Sequence, residues 1–157
     1  MTLKHVLVPL DGSPLAEQGL QYAERLVGKA GKVTLLMVVE LPLVYPMVSP
    51  SPPILPGEIE DYETHRKKQL LKSQEYLNLI AKKLSVGEIE HKIVDAADPA
   101  EIIVEIAEEK QVDAIVMSTH GRRGLSRWLM GSVTQKVIQA AHCPIFIIPN
   151  RLSSQSE

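Results

Sequence analysis

The sequence lacks most of the features that mark specialised classes of protein. Its 157 residues include one cysteine, Cys143, so neither an intramolecular disulfide framework nor a cysteine zinc cluster can form. The longest apolar runs, such as residues 145–148, are far too short to span a membrane. Residues 1–10 have neither the apolar core nor the cleavage site of a signal peptide. We therefore expect a soluble cytoplasmic protein that does not insert into membranes.

The charges of the sequence are nearly balanced. Its 17 basic and 19 acidic residues give a net charge of -2, which provides no general attraction to nucleic acid. Hydrophobic residues make up 45%, an ordinary proportion for a globular protein, and the length suits one domain. We assign residues 1–150 to that domain and residues 151–157 to a polar C-terminal tail.

Apolar runs of strand length alternate with longer amphipathic segments along the chain. Continuous apolar runs are typical of parallel strands that are covered on both faces. Ser13-Pro14 and Asp98-Pro99 each provide an N-cap followed by a proline at the first helical position. The predicted strands are 5–10, 33–39, 90–94, 114–117 and 145–148, and the predicted helices are 14–28, 58–84, one that begins at 98–99, and 132–141. This alternation predicts an α/β fold, an open five-stranded parallel sheet with helices on both faces.

Residues 41–57 interrupt the alternation. They include six of the 11 prolines, which exclude a helix or a central strand there. Apolar side chains such as Val44, Tyr45 and Ile54 argue against a simple solvated linker. We predict a proline-rich loop that lies over the edge of the sheet or contacts a partner.

The predicted sheet indicates where a ligand would bind. Open parallel sheets bind ligands beyond the C-terminal ends of the strands, where the strand order reverses. The candidate site therefore comprises residues 11–13, the residues just after Val38, and the segment that follows Met117. Asp11 is alternatively a structural turn residue.

Residues 118–134 have the composition of a phosphate site. Gly121 and Gly131 allow a ligand to approach the backbone, and positive φ angles cost them little. Ser132 with Gln135 fits a capping box at a helix N-terminus, which attracts anions. The stretch 114–149 contains no acidic residue and four basic ones. Taken singly, the glycines are turn residues and Ser132 an ordinary cap; taken together, they favour a phosphate site.

The 5 histidines do not follow the spacing of a metal site. We interpret His5, His65 and His91 as surface residues, and His142 as a residue at a helix end that acts as a cation or contacts a carbonyl. His120 lies in the candidate loop, where it either contacts a phosphate or only holds the turn. Because no nearby acidic residue would orient it as a general base, we predict no catalytic residue.

Three short motifs occur in order along the chain. They are Pro9-Leu10-Asp11-Gly12-Ser13, then Ser118-Thr119-His120-Gly121 followed by nine residues and Gly131-Ser132, then His142-Cys143-Pro144 before the last apolar run. Over nearly the whole chain, this pattern resembles the universal stress protein family. The resemblance implies a Rossmann-like fold of the adenine-nucleotide α-hydrolase type, with strand order 3-2-1-4-5.

The resemblance also implies ATP binding, with Mg²⁺ or Mn²⁺ bridging the phosphates. The nucleotide-binding branch of the family has the pattern Gly-x2-Gly-x9-Gly-Ser/Thr, and Ser118 stands here in place of the first glycine. By this resemblance Asp11 contacts the ribose or adenosine end, and the backbone at Pro9 and Val38 contacts the adenine. The implied phosphate site consists of Ser118, Thr119, His120, Gly121, Arg122, Arg123 and Gly124 along the loop, and Gly131, Ser132, Val133 and Thr134 at the helix start.

The resemblance further implies a homodimer through residues 144–149, an apolar edge strand of the kind that proteins normally cover. The implied function is that of a nucleotide-responsive regulator in the stress response, with a further protein partner. A nucleotide-free interaction protein and a weak ATPase that uses the same site are the alternatives.

Overall fold

A computed structural model describes residues 3–40, 56–119 and 130–149, with side chains in the second helix from Tyr62 onward. Over these ranges five parallel strands form one sheet with the order β3-β2-β1-β4-β5, which confirms the predicted fold class and strand order. The strands are β1 (His5–Leu10), β2 (Lys32–Val39), β3 (Glu88–Asp95), β4 (Ala114–Ser118) and β5 (Ile145–Ile148). The helices are α1 (Pro14–Val27), α2 (Pro56–Ala81), α3 (Pro99–Glu109) and α4 (Ser132–Ala140).

Two helices begin as the sequence predicts. The Ser13 hydroxyl accepts the Ala16 N–H at 3.1 Å, and the Asp98 carboxylate accepts the Ala100 N–H at 3.0 Å. Each cap is followed by a proline, whose missing N–H costs nothing in the first turn. α1 ends at Val27, and the φ of 66° at the C-cap residue Gly28 takes the chain out of the helix at little cost.

The predicted proline-rich loop is too long at its C-terminal end. Pro56 and Gly57 belong to α2, because the first turn of a helix tolerates a proline that its interior would reject. The rest of that predicted loop, 41–55, lies outside the described residues. α2 also ends at Ala81 rather than 84, since the Leu84 N–H bonds to the Ala81 carbonyl in a turn.

Both faces of the sheet are covered, as the apolar runs of its central strands predict. On one face α1 and α2 pack against alternate residues of β1 and β2, with Ala23, Leu77 and Val33 fully buried. On the other face α3 and α4 cover the intervening residues, including Leu7 and Leu36. Within the described ranges, no helix is both long enough and apolar enough to cross a membrane.

Candidate functional site

β1 and β4 are neighbours, which puts the reversal of strand order where it was predicted. Their ladder pairs Val6 with Ala114 and Leu7 with Ile115, at the N-terminal ends of the strands, and stops there. β1 and β2, in contrast, pair from His5 to Leu10. The β1–β4 ladder thus ends short of the C-terminal edge, the place where open α/β sheets bind ligands. We call residues 9–13, 38, 118–119 and 130–134 the switch-point edge.

A tight turn follows β1 at the switch-point edge. The Asp11 carboxylate accepts the Ser13 N–H at 2.9 Å, so Asp11 orients the N-cap of α1. Gly12 has a φ of 81°, a conformation that favours glycine over residues with a side chain. This bond is one that a turn residue makes, as the alternative interpretation of Asp11 expects. A contact between Asp11 and a ribose stays a prediction.

β2 continues past the end of β1. Leu10, the last residue of β1, pairs with Met37, so Val38 and Val39 extend beyond it. Alternate residues of a parallel strand direct their peptide groups to opposite neighbours. The Val39 carbonyl accepts the Ala96 N–H at 3.3 Å on the β3 side. The peptide groups of Val38 consequently face the β1 side, the orientation that a backbone contact to a bound base requires.

α4 begins beside the end of β4. The Gly131 N–H donates to the Thr119 carbonyl at 2.8 Å, and the buried Thr134 hydroxyl donates to the Ser118 carbonyl at 3.1 Å. The Thr119 N–H in turn donates to the Ile148 carbonyl of β5 at 3.1 Å. The chain therefore leaves β4 and enters α4 at adjacent points.

The predicted capping box at α4 is wrong. Gly131 occupies the N-cap position and Ser132 is already the first helical residue, so the Ser132 hydroxyl is one position too late to act as the cap. Within the described residues, the N-cap position makes no side-chain hydrogen bond to the first N–H groups of α4, which the helix itself leaves for another side chain, a ligand or water. Gly131 has a φ of -61°, so a positive φ is not the reason for a glycine there. The reason that remains is the close approach of a ligand to the backbone.

The structure brings nine of the predicted site residues to the switch-point edge and leaves five outside the described ranges. Those it describes are Pro9, Asp11, Val38, Ser118, Thr119, Gly131, Ser132, Val133 and Thr134. His120, Gly121, Arg122, Arg123 and Gly124 lie outside the described residues. Ser118, in the position where the nucleotide-binding branch has glycine, is 6% exposed as the last residue of β4.

An ion pair that sequence reasoning missed joins the starts of α3 and α4. Lys136 contacts the Asp98 carboxylate at 2.7 Å. The Lys136 ammonium, and then the Ala100 N–H, hold the pKa of Asp98 below its usual value. Sequence spacing gives no signal for this pair, since 38 positions separate the two residues. In the described part of the chain, no three histidine, cysteine or acidic side chains are grouped to hold a metal ion.

Residues 2–149 match the model of the universal stress protein family. The chain is 33% identical to universal stress protein MJ0531 of Methanocaldococcus jannaschii, over 92% of this chain and 81% of that protein. It is 31% identical to MJ0577 of the same organism, over 96% of this chain and 97% of that protein. The solved structure of MJ0577 has a TM-score of 0.78 at 29% identity and covers 98% of this chain and 100% of its own.

Two more distant solved structures share the fold. One is a universal stress protein in complex with cAMP, with a TM-score of 0.61 and 21% identity over 96% of this chain and 100% of that one. The other is the Archaeoglobus fulgidus universal stress protein in complex with dAMP, with a TM-score of 0.52 and 24% identity over 94% and 99%. From the family match and its full-length relatives, the chain belongs to the universal stress protein family.

Proposed function

We propose that the chain binds an adenine nucleotide, ATP, at the switch-point edge and acts as a nucleotide-responsive regulator. The observation that carries the proposal is the β1–β4 ladder that stops at Leu7 and Ile115, next to the start of α4, where the N-cap residue Gly131 has no side chain. The first supplies room between two strand ends, and the second supplies N–H groups and a partial positive charge for phosphate.

Each part of the nucleotide has a candidate partner. The backbone of Pro9 and Val38 is assigned to the adenine, and Asp11 to the ribose. The N–H groups of Ser132 and Val133, which belong to the first turn of α4, are assigned to the phosphates. Arg122, Arg123 and the rest of the predicted loop complete the phosphate contacts in this proposal.

The divalent ion in the proposal is held by the nucleotide. Mg²⁺ binds well through phosphate oxygens and water, and needs few protein ligands in such sites. The stretch 114–149 has no acidic residue, which fits a site that receives phosphate and ion together rather than a site that stores a free cation.

Proteins of the same fold support the choice of ligand class. The two distant universal stress proteins described above were solved with cAMP and dAMP. Both molecules combine an adenine base with a phosphate. We therefore place an adenine nucleotide, rather than another anion, at the switch-point edge.

The direct test is to release bound ligand by acid from gently purified protein and identify it by chromatography. Titration calorimetry with magnesium-ATP follows, with magnesium-GTP as the control for the base. We expect ATP in the released fraction and a binding heat for ATP that exceeds that for GTP. Released ADP or AMP would favour the weak-ATPase alternative. An empty protein without a heat of binding would leave the nucleotide-free interaction protein as the remaining alternative.

The proposal includes a homodimer formed through residues 144–149. β5 is an edge strand, and its Phe146 side chain is 38% exposed. Ile138 on α4 is 43% exposed. An apolar edge strand readily pairs with another chain, which supports a dimer contact there. We expect light scattering to give the mass of a dimer, and Phe146→Lys to lower it. A monomer mass for the unchanged chain would contradict the dimer.

Several features of the proposal stay predictions. They are the role in the stress response, the further protein partner, the contribution of residues 41–55, the cytoplasmic location, and the division into a domain of residues 1–150 and a polar tail.

A further inference from the structure

We infer that the Thr134 side chain is a positioning group that holds the start of α4 against the end of β4, and that it is not itself a phosphate contact. The inference rests on the proposed function, because the geometry it maintains is that of the proposed phosphate site. The sequence singles out Thr134 only as a donor at the helix start, and the structure gives its hydroxyl a different partner.

The Thr134 hydroxyl faces the strand end. Thr134 is 3% exposed. Its Oγ1 lies 3.1 Å from the Ser118 carbonyl oxygen and 3.4 Å from the Thr119 carbonyl oxygen. One O–H therefore donates between two successive carbonyls at the exit of β4. A hydroxyl engaged in this way within the protein interior has no proton left for a ligand.

The contact completes a short clamp. The Gly131 N–H donates to the Thr119 carbonyl at 2.8 Å, so the Thr119 oxygen receives one bond from the N-cap and shares another from Thr134. The Thr119 N–H is held by the Ile148 carbonyl at 3.1 Å. The helix start is thus fixed to β4 and, through Thr119, to β5.

The clamp matters because phosphate binding by N–H groups depends on their direction. A helix start that is held in place binds without a cost for ordering the backbone, and a loose one must be ordered by the ligand. Thr134 is the third residue of α4 and is buried, so its side chain can fix the first turn without occupying the space of the ligand.

Three variants test the clamp. Thr134→Val keeps the branched shape and removes the hydroxyl, and Thr134→Ser keeps the hydroxyl. The matched control is Thr34→Val, because Thr34 is a fully buried threonine whose hydroxyl lies 2.8 Å from the His5 ring at the opposite edge of the sheet. The measurements are magnesium-ATP affinity by calorimetry and, without nucleotide, hydrogen exchange of the Gly131 amide by NMR.

We expect Thr134→Val to bind magnesium-ATP about tenfold more weakly, the effect of one lost buried hydrogen bond, and to exchange the Gly131 amide faster. Thr134→Ser should restore both, and Thr34→Val should lower stability with neither effect. If Thr134→Val changes affinity no more than Thr34→Val, the positioning role is wrong. If the unchanged protein binds no nucleotide, the proposed function fails, while Gly131 exchange still decides the clamp: faster exchange in Thr134→Val supports it and unchanged exchange overturns it.

Discussion

Buried polar groups have different partners at the two ends of the strands, which we call the N-terminal edge and the switch-point edge. At the N-terminal edge, side chains satisfy one another: the fully buried Thr34 lies between the His5 ring at 2.8 Å and the Glu90 carboxylate at 3.5 Å. Lys32 and Lys110 contact the same carboxylate at 2.9 and 2.6 Å. At the switch-point edge, the hydroxyl of the buried Thr134 donates to two backbone carbonyls, and the N-cap residue of α4 is Gly131, which has no side chain.

The N-terminal edge is a closed polar network. The Lys110 ammonium, and then that of Lys32, lower the pKa of Glu90 to about 2. Burial, followed by the charge of Lys32, lowers the pKa of His5. His5, which we expected at the surface, is half-buried, because its ring nitrogen Nε2 lies 2.8 Å from the Thr34 hydroxyl. Lys32, Lys110 and Glu90 thus neutralise one another within the protein.

This difference separates the strand ends whose contacts stabilise the fold from the strand ends that remain open to a ligand. Strand ends carry polar groups at both edges, and side chains at the N-terminal edge pair with each other. At the switch-point edge the β1–β4 ladder stops early, and the side chains of Asp11, Ser13 and Thr134 bond to backbone N–H or carbonyl groups. Changes at the first edge should therefore alter stability, and changes at the second should alter binding.

The largest effect is expected from Gly131→Leu. The backbone at Gly131, with φ of -61° and ψ of 148°, suits any residue, so the fold should persist. A leucine side chain would occupy the space beside the first turn of α4, and magnesium-ATP affinity should fall at least about 100-fold, a loss near 2.7 kcal/mol. Calorimetry measures the affinity and thermal melting controls for the fold. Retained affinity would rule out the assigned site.

Gly31→Ala at the other edge should have the reverse profile. An added Cβ would lie 2.4 Å from the Val27 Cβ and 2.6 Å from the Val27 carbonyl oxygen, and this backbone contact has to shift. We expect a loss of about 1–3 kcal/mol in the free energy of unfolding, the usual cost of overpacking. Urea denaturation measures it, with magnesium-ATP affinity as the control. Weaker binding in the folded variant would show that the edges are not independent.

The smallest effect concerns Glu90 and acid. Its pKa is lowered from 4.5 to about 2 in the folded state, so its contribution to stability is complete above 4.5 and disappears as the pH falls towards 2. With solvent screening this amounts to about 1–2 kcal/mol. Urea denaturation across this pH range should show a steeper loss for the unchanged protein than for Glu90→Gln.

The pKa values of Asp98 and Asp113 are also lowered. Both residues are present in the unchanged protein and in Glu90→Gln, so their contributions to the pH dependence of stability cancel in that comparison. The fall in stability that His5 causes begins higher, below 6.5, because its pKa is lowered from that value. Equal pH slopes for the two proteins would contradict the role assigned to Glu90.

Much of the fold follows from local patterns. The Ser13-Pro14 and Asp98-Pro99 caps predicted two helix starts correctly, because capping is decided by residues that are neighbours in the chain. The wrong prediction of the N-cap of α4 has the opposite cause. At α4 the choice between Gly131 and Ser132 as N-cap depends on the Gly131 N–H reaching Thr119, a contact between segments that no local pattern encodes.

The class of the fold, the alternation of strands and helices, and the segments of the expected ligand site follow from the sequence alone. These depend on periodicity, capping and motif order, which are properties of neighbouring residues. No such pattern predicts that the β1–β4 ladder stops at Leu7 and Ile115, or that the Thr134 hydroxyl donates to a carbonyl at the end of β4. Both depend on how far two strands stay in register and which distant groups meet, and packing of the whole sheet sets those distances.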